Sequence, residues 1–323
     1  MYNIYQKYRS IIIILVKLLV VGAAFYFISQ KILQAKFNDP NGFMQLLDNS
    51  FFVHPIIIFS VLGFTLANWF FEILKWKSLV SSVKNISFFE AYKQSTSSLT
   101  ASLLTPNRIG EYGAKAIYYA GYQRKKVMFL NLIGNLSQMF MTLIFGITGF
   151  VVLYKHLHFT VNLQYLNVNW MVVIILFTGL LIYRFKDYFW NTIVLKLIDY
   201  FKAIPSKDQK NSLKYSLIRY LIFSHQFYFL LMVFGVEMDY FTAMGAIFSM
   251  YFIASIIPSF VAFDFIVKGS IAISVFGLFG IPEMIVLGIT TLMWLLNFAL
   301  PAVIGSYYVF TFALPSTVKV TVK

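Results

Sequence analysis

The chain has 323 residues, of which 59% are hydrophobic and 12% charged, and its mean hydropathy is +0.75. These values exclude a large water-soluble domain and indicate a single integral membrane domain over residues 1–323. No nucleic-acid-binding motif accompanies the net charge of +14, so we expect no nucleic-acid partner. We attribute the charge to basic cytoplasmic loops and to attraction to anionic lipid headgroups. Cysteine is absent, which excludes disulfides and thiolate chemistry.

The N-terminal segment has a basic leader, Met1–Ser10, followed by an apolar run from Ile11 to Ser29. This pattern could be a cleaved signal peptide, but the apolar character continues past Gly22-Ala23-Ala24 and favours an uncleaved first span with its N-terminus inside. A polar external loop over residues 30–54 leads to a second span, Pro55–Leu74. Aromatic and charged residues at the end of this span are typical of a cytoplasmic interface: Trp69, Glu72, Lys75, Trp76 and Lys77.

The stretch from Phe88 to Tyr119 contains two apolar arms that are interrupted at Pro106. Neither arm is as long as the run of about 20 apolar residues that is needed to span a bilayer. Because proline breaks a helix, we predict a re-entrant hairpin of two half-helices over residues 89–121. A break at membrane depth is tolerated only where protein or a water-filled cavity covers it, so this stretch predicts a polar site inside the membrane.

The second half of the sequence repeats this pattern. Residues 241–280 contain two apolar arms around Pro258. Phe241-Thr242-Ala243 precedes Pro258 at the spacing with which Phe89-Glu90-Ala91 precedes Pro106. The sequence therefore predicts a second re-entrant hairpin.

Further spans and loops complete the predicted topology, and the strongly basic loops all fall on one side. The chain is predicted to be an all-α polytopic membrane protein with about six full spans and two re-entrant half-helix hairpins. We expect it in the inner (plasma) membrane with both termini cytoplasmic. The remaining predicted segments are spans at 127–154, 170–183, 216–235 and 282–310 and a cytoplasmic amphipathic linker at 185–215.

Two repeats are predicted, one over about residues 55–154 and the other over about 216–310. The charges of the flanking loops predict that the first hairpin opens towards the cytoplasmic side of the membrane and the second towards the external side. Interrupted helices in corresponding positions of an inverted repeat indicate a substrate site near the midplane. The alternative is two unrelated proline-kinked helices in an apolar bundle.

Charged residues within the hairpins are candidate ligands. Arg108 falls in the first turn of the second half-helix, where free N–H groups and the helix dipole favour phosphate or carboxylate. Glu111 and Lys115 are spaced i,i+4, as are Asp264 and Lys268, so each hairpin presents an acid and a base on one helical face. These pairs either bind substrate or only neutralise each other and lock the hairpins.

Polar residues within the full spans are further candidates. A stripe along one helix could line the cavity or connect helices through hydrogen bonds; it comprises Asn131, Asn135, Gln138 and Thr142. Four more polar residues either face the same interior or, for the two cations, extend to the membrane surface: Lys17, Arg219, His225 and Gln226.

The segment Pro106-Asn107-Arg108-Ile109-Gly110-Glu111 resembles the Pro-x-x-x-Gly-Glu motif of the lysylphosphatidylglycerol synthase transmembrane region, a flippase-like membrane domain. The segment from Pro258 through Asp264 to Lys268 is similar to the second motif of that family, although Ser259, Phe260 and Ala262 replace common glycines. Bifunctional members also carry a soluble C-terminal aminoacyl-transferase domain, and we expect none here because the sequence ends a few residues after its predicted last span. The resemblance therefore implies lipid handling by flipping rather than lysine transfer.

These observations favour a carrier that binds an anionic phospholipid or a lipid-linked headgroup and flips it between leaflets. One alternative is a membrane enzyme that transfers a headgroup or sugar, and another is a scaffold for a partner lipid-modifying enzyme. No cofactor or metal motif is present, and we expect neither. The expected substrate-binding residues are Pro106, Asn107, Arg108, Gly110, Glu111, Lys115, Asn135, Pro258, Asp264 and Lys268.

Overall fold

The computed structural model describes residues 54–103, 105, 108–157, 195–257 and 261–312; for residues 155–157, 196, 197 and 261–266 only the backbone is described. The predicted spans at 11–29 and 170–183 lie outside these ranges, as do Pro106, Asn107 and Pro258. The described residues are helical, with no β-strand among them. The helices are α1 (Pro55–Val80), α2 (Phe88–Ser102), α3 (Ile109–Ala116), α4 (Arg124–Leu157), α5 (Leu195–Lys202), α6 (Ser206–Val233), α7 (Tyr240–Ile256), α8 (Val261–Gly277), α9 (Glu283–Trp294) and α10 (Leu300–Thr311).

Four of the predicted spans are confirmed as helices long and apolar enough to cross a membrane. They are α1, α4, α6 and the continuous rod formed by α9, a π-helical turn (Leu295–Ala299) and α10. Side chains on the outer face of α4 are exposed and apolar, as expected for contact with lipid: Leu136, Phe140, Leu143, Ile144 and Ile147. The chain is therefore a multi-pass membrane protein.

The helix α6 begins ten residues before the predicted span, so residues 206–215 of the predicted linker are helical and continuous with that span. Pro205 immediately precedes the helix, and Asp208 in the first turn accepts hydrogen bonds from Ser78 Oγ at 2.9 Å and Ser81 Oγ at 3.3 Å. These bonds join the start of α6 to the end of α1. A carboxylate is favoured there because the N-terminus of a helix carries positive partial charge.

The C-terminus of α1 and the N-termini of α4 and α6 lie at the same end of the molecule. The ammonium group of Lys126 in α4 donates to Ser82 O at 3.0 Å, just beyond α1, and Asp208 binds Ser78 from α6. We call this the basic end, because it carries Arg124, Lys125, Lys126, Lys207, Lys210 and Lys214.

Short helices occupy corresponding places in the two halves: α2 and α3 lie between α1 and α4, and α7 and α8 lie between α6 and α9. A capping box starts α2, in which Ser87 Oγ accepts from Glu90 N at 3.1 Å and Ser87 N donates to Glu90 Oε2 at 2.8 Å. Asp239 caps α7 by accepting from Thr242 N at 3.1 Å.

Packing between the halves is reciprocal. The long helices α1 and α6 pack against each other. The short helix α7 packs along α4, and the short helix α2 packs along α10. Thus the first short helix of each half lies against the last long helix of the other half.

Small residues allow both of these contacts. A Cβ at Gly305 in α10 would lie 2.2 Å from Thr96 O in α2, and a Cβ at Gly149 in α4 would lie 2.7 Å from Gly245 O in α7. Thr100 Oγ1 also donates to Ala302 O at 2.7 Å. Such close backbone approach is how helices associate where the hydrophobic effect gives no preference for protein over lipid.

Candidate functional site

A cavity of about 470 Å³ lies among α1, α4, α6, α7 and α8, and Arg108 contributes to it from the start of α3. We call it the large chamber. An adjoining small chamber of about 150 Å³ extends towards α9 and the π-helical turn. Both chambers are lined by Arg108, Arg219 and Lys268, so three cations border two adjoining cavities of a membrane protein.

Arg108 immediately precedes α3 with φ of 57°, in the left-handed region that L-residues occupy at a cost of about 1 kcal/mol or more. This backbone is supported on both sides: Glu111 N donates to Arg108 O at 3.0 Å, and Gly110 N donates to Thr105 Oγ1 at 2.7 Å. A Cβ at Gly110 would lie 2.8 Å from Ala101 O. The motif therefore has glycine here because the two backbone segments approach too closely for a side chain.

The guanidinium of Arg108 lies 4.7 Å from the centroid of the Phe298 ring. No carboxylate contacts it among the described side chains. A guanidinium stacked on an aromatic face keeps its in-plane N–H donors directed outwards, where they can bind a planar or tetrahedral anion.

The sequence alone left open whether Arg219 faces the bundle interior or extends to the membrane surface. Its Nη1 lies 2.6 Å from Glu72 Oε2, and Nε donates to Asn68 Oδ1 at 3.0 Å. Glu72 also pairs with Lys75 at 2.7 Å. One carboxylate therefore neutralises only one of two cations, and the triad of Glu72, Lys75 and Arg219 keeps one positive charge.

The placement of Glu72 and Lys75 corrects the prediction that they mark the cytoplasmic interface. They are 8% and 3% exposed, because α1 continues to Val80 and places them inside the bundle. The signal available in the sequence was their opposite charge at i,i+3 spacing on one helical face, a pattern that also occurs on solvated helices.

A chain of side-chain amides joins α1, α6 and the π-helical turn behind Arg219. Asn68 Nδ2 donates to Asn297 Oδ1 at 2.9 Å, and Asn297 Nδ2 donates to Gln226 Oε1 at 3.0 Å. Gln226 Nε2 in turn donates to Thr65 Oγ1 at 2.8 Å. Gln226 is buried but lines neither chamber, and it connects helices.

Pro301 explains the π-helical turn. Proline has no N–H to donate to the carbonyl four residues earlier, here that of Asn297, and its ring crowds that carbonyl. The indole N–H of Trp69 donates to Asn297 O at 3.1 Å and replaces the missing partner. The wider turn carries Asn297 and Phe298 to the wall of the small chamber.

The pair of Glu111 and Lys115 forms as the spacing predicts. Lys115 Nζ donates to Glu111 Oε1 at 2.7 Å and to Asn131 Oδ1 at 2.8 Å, and it lies 4.4 Å from the Trp76 ring centroid. Lys115 is 2% exposed. This cluster lies among α1, α3 and α4, and neither charged member lines the two chambers.

The remaining candidates divide between the chamber wall and the undescribed parts of the chain. Asn135 lines the large chamber and donates to Tyr112 OH at 3.0 Å. Gln138 and Thr142 also line it, whereas Asn131 binds Lys115 instead. Lys268 in α8 lines both chambers. The Asp264 side chain lies outside the described part of the structure.

Two phenol groups complete the wall of the large chamber. The hydroxyls of Tyr220 and Tyr251 are buried and have no hydrogen-bond partner among the described residues. Buried polar groups normally have partners, so these hydroxyls are donors that a bound molecule or water can use.

The fold and this cavity define a helical, multi-pass membrane protein with a cation-lined internal site. The chain belongs to the family of the lysylphosphatidylglycerol synthase TM region, whose family model matches residues 14–305. The resemblance seen in the two proline-containing motifs is thereby confirmed over most of the chain. Searches of curated proteins and of solved structures found no match.

Proposed function

We propose that this protein binds the anionic or phosphate-bearing headgroup of a membrane lipid in the large chamber and transfers the lipid between leaflets. The observation that carries the proposal is the convergence of Arg108, Arg219 and Lys268 on one internal cavity. The family name supports a lipid as the substrate, because it refers to the synthesis of a modified phosphatidylglycerol.

Charge balance within the membrane favours an anion in this site. A charge in a low-dielectric interior is costly unless it is paired. The triad around Glu72 retains one positive charge, and Arg108 contacts an aromatic ring rather than a described carboxylate. A phosphate group placed between Arg108 and Arg219 would accept charge-assisted hydrogen bonds from both guanidinium groups and offset positive charge there.

The helix order supports transport by an inverted repeat. Each half has a long helix, two short helices and another long helix, and the halves pack reciprocally through α4 with α7 and α10 with α2. We propose that α2–α3 and α7–α8 are re-entrant hairpins of repeats at about 55–154 and 216–310. Rocking of one repeat against the other would then expose the headgroup site alternately to each leaflet.

The basic end supports the proposed orientation. Six lysine and arginine residues at the starts of α4 and α6 lie at one end of the bundle, as expected for a cytoplasmic face. We accordingly place the protein in the inner (plasma) membrane with both termini in the cytoplasm.

Leaflet exchange in liposomes tests the proposed function. Purified protein would be reconstituted with fluorescent anionic or zwitterionic phospholipids, alongside Arg108→Gln and Lys125→Gln variants. Each variant removes one positive charge, but Lys125 is exposed at the basic end and lines neither chamber. Loss of a hydrogen bond to a charged group costs about 1.5–3 kcal/mol, so exchange of anionic lipid by Arg108→Gln should fall about tenfold or more.

The parent protein should exchange anionic lipid faster than zwitterionic lipid. This preference should be lost in Arg108→Gln and retained in Lys125→Gln. Exchange that is equal for both lipids, or that is insensitive to Arg108, would refute the headgroup site. Size-exclusion profiles of all three proteins in detergent establish that they are equally folded.

A further inference from the structure

We propose that Asn297 is a positioning residue of the anion site. Together with the ring of Phe298, it makes the π-helical turn the element that orients both arginines of the site towards one ligand. The inference rests on the proposed function, because that ligand is taken to be the anionic headgroup of a lipid. It makes an uncharged residue a determinant of which lipids the protein transports.

Arg219 is held on two sides of its guanidinium group. Its Nη1 pairs with Glu72, and its Nε donates to Asn68 Oδ1 at 3.0 Å. Among the described residues these contacts engage Nε and Nη1, so Nη2 is the nitrogen that a bound anion can use. The bond to Asn68 fixes the rotation of the guanidinium plane and therefore the direction of the Nη2 donors.

The orientation of the Asn68 amide depends in turn on Asn297. A guanidinium can only donate, so Asn68 presents its oxygen to Arg219 and its nitrogen to Asn297, whose Oδ1 accepts at 2.9 Å. Asn297 Nδ2 donates to Gln226 Oε1 at 3.0 Å, and Gln226 Nε2 donates to Val61 O at 3.1 Å. With a donor at one end and a backbone acceptor at the other, only one orientation of each amide satisfies the whole chain.

The same turn supports Arg108 through the next residue. The guanidinium lies 4.7 Å from the centroid of the Phe298 ring, and that ring is stacked on Trp294 with the centroids 6.1 Å apart. The ring supports one face of the guanidinium and leaves its in-plane donors free. Because Asn297 and Phe298 are consecutive, one turn of helix carries the supports of both arginines.

The helix α1 holds this turn at two adjacent points. The indole N–H of Trp69 donates to Asn297 O at 3.1 Å, and Asn68 donates to Asn297 Oδ1. A substitution at Asn297 that removes only the side-chain amide keeps the backbone bond from Trp69. The turn can therefore stay in place while the link to Arg219 is broken.

The consequence of this arrangement is selectivity for charge. Hydrogen bonds from a guanidinium to phosphate are strong only when the donors point at the phosphate oxygens. A guanidinium that has rotated away keeps its charge but loses these bonds. Asn297 therefore sets the affinity for an anionic headgroup without contributing a charge of its own.

An Asn297→Leu variant tests the inference, because leucine has a similar size and cannot form the two amide hydrogen bonds. Leaflet exchange would be measured in liposomes as a function of the mole fraction of a fluorescent anionic phospholipid, and separately with a zwitterionic one. The mole fraction of anionic lipid that gives half-maximal exchange should rise at least about fivefold, while the maximal rate stays within about twofold. Exchange of the zwitterionic lipid should stay at the rate of the parent.

Two further variants make this test specific. Asn211→Leu is the matched control, because Asn211 also joins α6 to α1, through a hydrogen bond to Ser78 Oγ at 3.2 Å, and it lines neither chamber. It should keep the half-maximal mole fraction of the parent. Asn297→Ser fits the site without added bulk, but its hydroxyl is too short to reach both amide partners, so it should behave as Asn297→Leu does. Melting temperatures in detergent show which variants are folded.

The outcomes separate this inference from the proposed function. If the parent does not prefer anionic lipid, or if Arg108→Gln keeps the preference, the anion site fails and this inference fails with it. If Arg108→Gln loses the preference but the folded Asn297 variants keep the half-maximal mole fraction of the parent, Asn297 does not position the arginines and the anion site stands. If the Asn297 variants slow the exchange of both lipids equally, the residue is only structural and the inference is again refuted.

Discussion

Two cations seven residues apart, Arg108 and Lys115, have different surroundings and therefore different roles. Arg108 borders both chambers and stacks on Phe298. Lys115 is enclosed by Glu111, Asn131 and the Trp76 ring. The first is placed to bind an anion, whereas the second holds α1, α3 and α4 together and so keeps Arg108 in position.

Replacement of Lys115 by Met tests this structural role. The substitution leaves the Glu111 carboxylate buried without its ion-pair partner, which should lower the free energy of unfolding by about 3–5 kcal/mol. Thermal unfolding in detergent, followed by circular dichroism or by size-exclusion chromatography after heating, measures the loss as a lower melting temperature.

The double variant Glu111→Gln/Lys115→Met provides the control. Removing both charges should restore most of the lost stability, because neither partner is then left charged and unpaired. A Lys115→Met protein as stable as the parent, or a double variant less stable than Lys115→Met, would contradict the assignment of this pair as a structural clamp.

At the scale of helices, local sequence sets both the breaks and the close contacts. Pro301 removes one backbone donor and opens the π-helical turn that carries Asn297 and Phe298 into the site. Gly305, one turn further along α10, lets α2 approach so closely that its Thr96 carbonyl occupies the space of a Cβ. The position of α2 depends on that contact.

The substitution Gly305→Ala should force α10 and α2 apart and lower the free energy of unfolding by about 1–3 kcal/mol. Gly63→Ala in α1 is the matched control, because no atom lies within 4 Å of the added Cβ. That change should be neutral or stabilising by up to about 1 kcal/mol, since alanine favours a helix over glycine. Equal melting temperatures for the two variants in detergent would show that the contact between α10 and α2 is looser than described.

At the scale of the whole molecule, the two halves exchange contacts as a pseudo-twofold pair would. The short helices α2 and α7 pack against the last long helix of the opposite half, while α1 and α6 pack together. The cation-lined chambers are built from both halves, with Arg108 from the first and Arg219 and Lys268 from the second. Relative motion of the halves would therefore change the site itself.

Single-cysteine labelling tests the orientation of the molecule, and the absence of native cysteine makes the parent an unlabelled control. Tyr122→Cys lies at the basic end, where the tyrosine is 82% exposed, and Glu237→Cys lies in the loop between α6 and α7. A membrane-impermeant maleimide should label Glu237→Cys in intact cells and Tyr122→Cys only after permeabilisation. The opposite pattern would reverse the proposed topology, and labelling of both in intact cells would show that α6 does not separate them across the membrane.

The sequence by itself determined the membrane class, the family, the four spans that the structure describes and the paired short helices, because these depend on local composition and on residues close together in the chain. It also identified Arg108 and the pair of Glu111 and Lys115, since a motif and i,i+4 spacing are local patterns. Only the tertiary structure decided that Arg108 and Lys268 line the chambers while Glu111 and Lys115 do not.

The largest difference concerns Glu72, Lys75 and Arg219. Charges near the end of an apolar run look like an interfacial boundary, and Arg219, the second partner of Glu72, lies on another helix. Whether such a charge is solvated or buried depends on where α1 ends and on which helix packs beside it, here α6. Long-range packing therefore decided which polar residues form the site, because burial and charge pairing across helices leave no periodic signal in the chain.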